Sequence, residues 1–322
     1  MATYDSNFIP TIKVPCPICK KHSNLIESSG RDFDCNTTGD QIFKFLRCLN
    51  CDILFLSPRP EESSLPIIYS KSEYYSYSFT EKMNFIVSYA KFKRDHDKVS
   101  IALSLLASKN PKNMRILDIG SGDGSFLSVF LSNGVLGKNL YGVELNLEAC
   151  EHLMRRGFNP IHGQIEKITL PSANFDCITL IQVIEHVANP LEVLKKLHES
   201  LALDGILVLE TPNFSSWDRP FFRKSTWGGY HFPRHWTLWN KKSITKTLEI
   251  AGYKVINIET PAAAVLWIWS LNHVAQLYLG NGNVASFLSM KNPVLLGVMW
   301  MLEFIPSLLG LSANMRIIAS RK

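Results

Sequence analysis

Apolar and polar positions fall into two regimes along the chain. From about 111 to 260, short apolar runs alternate with stretches whose apolar residues recur at helical spacing. The runs near 114–119, 139–144, 158–162, 175–181, 205–211 and 253–260 read as strands. Helical periodicity appears near 124–133, 147–156, 190–202 and 241–251. Such alternation predicts a parallel sheet with helices on both faces. Ahead of it, Thr80 to Ser108 reads as an amphipathic helix, with Lys91, Lys93, Arg94, Asp95 and Asp97 on its wet side.

The second regime runs from Pro261 to Met315, where Lys291 and Glu303 are the only formally charged residues between those ends. Two apolar runs, Ala262 to Leu279 and Val294 to Leu311, flank Gly280-Asn281-Gly282-Asn283. Each is about 18 residues long, the lower edge for a spanning helix. Asn272, His273 and Gln276 in the first, and Glu303 with Pro306 in the second, argue against spanning. Trp267, Trp269, Tyr278 and Trp300 suit an interface. The favoured expectation is a helical hairpin docked peripherally on a membrane; a substrate cap, a dimer face and a true span are the alternatives.

Composition changes this picture modestly. A chain of 322 residues with 46% hydrophobic content can bury one large α/β domain and an appendage. Its net charge of +6 is mild, and no dense Lys/Arg stripe appears, which weighs against a nucleic-acid partner. Met1 to Ser6 lacks a basic and apolar leader, and seven cysteines are an odd number, so a reducing, cytoplasmic setting is expected.

Four cysteines form two C-x-x-C knuckles, Cys16/Cys19 and Cys48/Cys51, the spacing of a four-thiolate Zn²⁺ site in a ribbon. Such a site has no open position, so the metal is structural. A cluster of reduced, buried cysteines is the alternative. Ser57-Pro58-Arg59-Pro60 marks a boundary. Tyr69, Tyr74, Tyr75 and Tyr77 beyond it suit either interdomain packing or a lid over a ligand.

The run Ile116-Leu117-Asp118-Ile119-Gly120-Ser121-Gly122-Asp123-Gly124 reads as a strand, a glycine turn and a helix start. Backbone N–H groups of such a turn can approach a ligand closely. Glu144 ends the next strand, where a carboxylate can hold ribose hydroxyls. A dinucleotide fingerprint wants its third small residue at 125, but the third glycine stands at 124. Phe175-Asp176-Cys177-Ile178, then Val183-Ile184-Glu185-His186-Val187, then Leu203-Asp204-Gly205-Ile206-Leu207 leading to Pro212-Asn213 follow in order. With these motifs the chain resembles the class I S-adenosylmethionine (SAM)-dependent methyltransferases over about 111–260 and 312–322.

That resemblance implies a Rossmann-like, seven-stranded core, with its last strand near Met315–Ser320 antiparallel. It implies that Gly120, Gly122 and Gly124 lie under the methionyl part of SAM, that Asp118 steers the loop and the amino group, and that Glu144 holds the ribose. Gln164 and Ile165 follow the third strand, where adenine rests in the family. A zinc ribbon ahead of the core resembles deoxysugar C-methyltransferases and some ribosomal-RNA methyltransferases. The expected organisation is a zinc-ribbon-like domain at 1–57, a helical linker or lid at 58–110, and a methyltransferase domain at 111–322 with the apolar hairpin at 261–311 inserted before the last strand.

Glu185 and His186 stand beyond the fourth strand, at the ligand-binding edge of an open α/β sheet. His186 has the pKa range of a base. A Glu-His pair here serves proton abstraction in similar sugar C-methyltransferases; equally, it serves as a structural cap in this fold. Similar quinone-pathway enzymes carry a metal-associated E-x-x-E-H cluster, but Gln182 replaces its first acid here. Trp227 to Trp236 holds two histidines, an arginine and several aromatics, fit for a substrate pocket or for a packed loop; His235 is its candidate base. The expected activity is methyl transfer to a hydroxyl or carbon of a small-molecule, glycan, lipid-linked or quinone-like acceptor. An RNA methyltransferase and a non-catalytic SAM-binding scaffold are the alternatives.

Overall fold

The computed structural model describes residues 8–22, 24–69, 85–280, 284, 287–290 and 292–322. Tyr74, Tyr75 and Tyr77, and the turn at 281–283, lie outside the described residues. The chain divides into two compact units. One comprises residues 75–210, 245–258 and 316–322; the other comprises 1–74, 211–244 and 259–315.

The first unit carries the sheet expected from the alternating pattern. Helix α2 (Phe85–Leu105) precedes β6 (Ile116–Ile119), α3 (Ser125–Ser132), β7 (Leu140–Glu144), α4 (Leu147–Arg155) and β8 (Asn159–His162). Strand β9 (Phe175–Ile181), α5 (Pro190–Ser200), β10 (Leu201–Pro212), α7 (Lys241–Ile250), β12 (Tyr253–Glu259) and β13 (Asn314–Arg321) follow. The seven strands run in the order β12-β13-β10-β9-β6-β7-β8, with β10/β9, β9/β6, β6/β7 and β7/β8 parallel. Apolar residues on both faces of β6 and β9 explain why those strands read as unbroken apolar runs. Ile116, Leu127, Phe130, Leu140, Leu153 and Cys177 pack into one core beneath them. Strand β10 begins at Leu201, earlier than its apolar run, and bulges against β9 before Ile206. Its entry is exposed at Leu203 and Asp204, and its buried charge lies near the other end. Glu210 pairs with Lys98 at 3.0 Å and Arg316 at 2.7 Å, and those cations outweigh burial to hold its carboxyl below the usual range.

The second unit has a four-stranded sheet of β2 (Asn24–Gly30), β3 (Phe43–Cys48), β4 (Leu54–Leu56) and β11 (Thr237–Leu238), in the order β11-β4-β3-β2. A two-stranded pair, β1 (Thr11–Ile12) with β5 (Arg59–Pro60), and the short α1 (Leu65–Ile68) complete the ribbon segment. The unit also contains α6 (Arg219–Phe222), α8 (Ala264–Leu279) and α9 (Pro293–Leu308). Helices α8 and α9 form an antiparallel hairpin: Ala264, Ile268 and Met299 pack together, and Ala263 and Trp267 near the start of α8 reach Glu303 near the end of α9. The fully buried Glu303 carboxylate accepts from the indoles of Trp217 at 2.7 Å and Trp267 at 2.8 Å, from the Ala263 N–H, and from the Ser312 hydroxyl. A lone charge in an apolar hairpin is therefore tied to the rest of its unit. Among the described residues no helix is long and apolar enough to cross a membrane.

Candidate active site

The glycine turn forms where β6 meets α3. Gly120, Gly122 and Gly124 take φ of 72°, 51° and 73°, in the left-handed region. Gly124 is also the N-cap of α3, and a Cβ there would fall 2.5 Å from Leu153 Cδ2. A Cβ on Gly120 would fall 2.7 Å from Val183 Cγ2. Side chains are thus excluded both by backbone conformation and by close packing.

Glu144 closes the turn from β7. Its Oε2 accepts the Gly122 N–H at 2.9 Å, and its Oε1 accepts those of Leu145 at 2.7 Å and Asn146 at 3.0 Å. A carboxylate offers about four in-plane acceptor positions, so one on Oε2 remains. The same side chain therefore shapes the loop and can receive a hydroxyl. Asp118 lies deeper on β6 and accepts the Thr179 hydroxyl at 2.6 Å.

The loop after β8 is held by two side chains that local patterning does not single out. Lys196 Nζ, on α5, donates to the carbonyls of Ile165, Glu166 and Ile168, each at 2.8 Å. Glu166 Oε1 accepts the Ala188 N–H at 2.9 Å. Ile165 is buried and Gln164 half-buried within this loop. Glu185 and His186 follow β9 on a 3-10 turn (Ile184–His186), with Glu185 fully buried and His186 half-buried.

In the other unit the four knuckle cysteines converge. Their Sγ atoms all lie within 4.8 Å of one another, with Cys19 and Cys48 at 3.6 Å. Tetrahedral Zn–S bonds of about 2.3 Å put sulfurs about 3.8 Å apart, so the cluster fits that ion. The two knuckles repeat one geometry. Lys20 N–H bonds Cys16 O and Asp52 N–H bonds Cys48 O, each at 2.9 Å, and Lys20 and Asp52 both have positive φ. The Cys51 N–H also points at Cys48 Sγ at 3.4 Å. Burial raises the Cys19 thiol, but the Lys21 N–H and the neighbouring thiols outweigh it and hold the group down to about 7.

The Trp227–Trp236 segment lies in the same unit, and most of its polar groups are already committed. Arg234 is fully buried and forks onto Asp32 at 2.9 and 3.2 Å while donating to the Ile68 carbonyl. Trp227 donates to Asp218, and the Tyr230 hydroxyl accepts from Arg219 and donates to the Arg223 carbonyl. Asp34 joins His231 Nδ1 at 2.8 Å and His273 Nε2 at 2.9 Å. Burial opposes ionisation of Asp34, yet the two imidazoles hold its carboxyl well below the usual range. The segment is a packed loop with respect to Arg234, Trp227 and Tyr230, rather than an open pocket lined by them. His235 is also held: its Nδ1 lies 2.8 Å from the Gly229 carbonyl. A carbonyl can only accept, so Nδ1 carries the proton and Nε2 the lone pair in the neutral ring.

Residues 92–258, just over half of the chain, match the family described as "Methyltransferase domain". The chain belongs to this family. Its parallel sheet and glycine turn are those of the class I SAM-dependent methyltransferase fold, with a Rossmann-like core. It is 32% identical over 112 residues to the ubiquinone biosynthesis O-methyltransferase of Dinoroseobacter shibae, covering 34% of this chain and 45% of that one. It is 35% identical over 106 residues to the mitochondrial ubiquinone biosynthesis O-methyltransferase of Schizosaccharomyces pombe, covering 30% and 37%. The chain thus spans about half or less of the length of these relatives. Among solved structures, coclaurine N-methyltransferase bound to N-methylheliamine and SAH aligns with a TM-score of 0.47 at 15% identity, over 71% of each chain. A SAM-dependent methyltransferase from Archaeoglobus fulgidus aligns at 0.44 and 19%, over 70% of this chain and 94% of that one.

The turn fits SAM: a loop with glycine at every second position, a helix N-terminus and an acid with acceptor capacity left. Asp118 adds a pH signature. Burial drives its carboxyl up to about 7 against the Thr179 hydrogen bond, with Asp95 also raising it and Lys98 opposing. The unfolded carboxyl titrates near about pH 4. Between those values the folded state holds the extra proton, so this group's contribution to stability falls as pH rises. Asp118→Asn is therefore expected to melt several degrees above wild type at pH 8, with the gap shrinking towards pH 5. A gap that stays constant over that range in thermal melts would show that Asp118 is ionised throughout.

Proposed function

We propose that the enzyme methylates a hydroxyl of a small quinone-like or lipid-linked acceptor, with His186 as the base. The observation carrying this reading is that β6 and β9 pair in parallel, so the glycine turn after β6 and His186 after β9 stand at the same carboxyl edge of the sheet. SAM supplies an electrophilic methyl group on a sulfonium. Gly120, Gly122, Gly124 and Glu144 would hold it, with Asp118 towards its amino group and Gln164 and Ile165 at adenine. Removal of the hydroxyl proton makes the acceptor oxygen a stronger nucleophile. Glu185 adjoins His186 on the same 3-10 turn, and His235 is the second histidine that the sequence nominates for this task. The O-methyltransferase names of the two curated relatives support an oxygen acceptor; a carbon acid would need the same base. We also infer that Cys16, Cys19, Cys48 and Cys51 hold one structural Zn²⁺, since four thiolates leave no position for substrate.

The test is methyl transfer from labelled SAM into lipid and polar extracts. His186→Gln is expected to lower turnover about 100-fold or more with SAM affinity unchanged. If only His235→Gln does so, the base assignment moves to His235. A labelled product destroyed by ribonuclease would overturn the small-acceptor reading.

A further inference from the structure

The outer face of the hairpin is unlike a soluble surface. On α9 the buried side is narrow, with Met299 and Glu303 turned inward. Val294, Val298, Trp300, Leu302, Ile305 and Leu308 are among the side chains facing out, and Val294 and Leu308 are 74% and 72% exposed. At about 100° per residue the outward positions sweep an arc of about 200°. No charged side chain falls on that arc, and its one hydrogen-bonding group is the indole N–H of Trp300. The patch continues at the end of α8 through Leu277, Tyr278 and Leu279, all exposed. A monomer in water rarely tolerates so large an apolar surface.

Three observations say what covers it. First, an arc wider than half the helix is convex. One flat protein face leaves its flanks wet, whereas the fluid interior of a bilayer closes around it. Second, α9 has 16 residues and is about 24 Å long, short of the roughly 30 Å hydrocarbon core, and no described helix can span. It suits lying in the plane of the interface. Third, the end of the hairpin at the start of α8 and the close of α9 has a basic, aromatic rim within the same unit. Phe221, 70% exposed, sits 6.4 Å from the Trp267 ring, close in the chain to exposed Lys224; Arg223 between them is paired with Glu27 at 2.8 Å and adds no free charge. Lys241 Nζ lies against Gly310, just past α9, with Lys242 exposed next to it. Cations bordering an apolar helix complement anionic headgroups.

We propose that the α8–α9 hairpin is a monotopic anchor that beds in the surface of an anionic bilayer. Trp300 and Tyr278 are its interfacial aromatics. Trp267 and Trp269 are not: Trp267 holds Glu303, and Trp269 stacks on His231 with ring centroids 5.4 Å apart.

The experiment is flotation of the full-length protein with vesicles of phosphatidylcholine alone or mixed with phosphatidylglycerol. Wild type is expected to float with the mixed vesicles and much less with the neutral ones. Met301→Glu/Ile305→Glu changes two exposed positions, so it should fold, bind SAM as wild type does, and lose at least about tenfold in vesicle partitioning. Lys224→Glu/Lys242→Glu should lose the preference for anionic lipid. Wild type absent from both vesicle fractions, or equal flotation of wild type and the Met301/Ile305 variant, would overturn the proposal. So would a dimer in sedimentation velocity that the same variant dissociates, because the face would then be covered by a second copy.

Discussion

Glu144→Ala is expected to weaken SAM binding by about 100-fold or more, the largest loss from any single side chain of the cofactor turn. Two effects add. The carboxylate loses a charge-assisted bond to the ribose, and such bonds are about twice as strong as neutral ones. The turn also loses its clasp, because Gly122, Leu145 and Asn146 all donate to that carboxylate. Three part-buried N–H groups then need new partners, and any left unmade away from water costs about 1–3 kcal/mol. Every 1.4 kcal/mol is about tenfold in affinity. Glu144→Gln separates the effects: it keeps one acceptor oxygen but sets an amide N–H₂ against a backbone donor, so an intermediate loss is expected. Calorimetry on folded variants is the measurement. Unchanged affinity in Glu144→Ala, with an unchanged melting profile, would mean that the ribose is held elsewhere.

The cofactor half of this enzyme was legible because its information is local. A buried parallel strand shows as an apolar run, and a positive-φ turn shows as glycine, so β6, its turn and α3 appear at 116–132 where 114–133 was expected. Strand β8 and the hairpin helices were legible for the same reason. Long-range partners were not. Strand β11 completes the ribbon sheet by pairing Thr237 with Phe55, and nothing near Thr237 announces a strand of two residues. Asp34 meets His231 and His273 across about 200 positions of chain, which no spacing rule addresses. Lys196 reads as a solvated helix residue, yet it holds three carbonyls of the loop after β8. The tryptophans of α8 misled for a related reason. Composition marks an aromatic as fit for an interface, but helical phase and a buried acid turned Trp267 inward.

Removal of zinc is expected to cost the ribbon segment its fold, not merely a ligand. Purified protein should contain about one zinc per chain. Cys48→Ser/Cys51→Ser should abolish it and shift the first thermal transition down by tens of degrees, since structural zinc in small domains contributes on the order of 10 kcal/mol. The reason lies in how little else holds the knuckles. Cys16 and Cys48 are buried, and burial pushes the Cys16 thiol far above its ordinary range while drawing Cys51 up to about 11. Four soft donors within 4.8 Å, forced together by two matched backbone turns, are an unfavourable arrangement for thiols and a favourable one for thiolates around a dication. The loss should also spread within the unit, because β3 ends at Cys48 and bears Phe45 against Tyr230 and Phe232 of the His235 loop. SAM binding, which draws on residues of the other unit, should survive the same change. Metal analysis finding no zinc in wild type, or zinc retained in the double serine variant, would leave the cysteines as a reduced packing cluster.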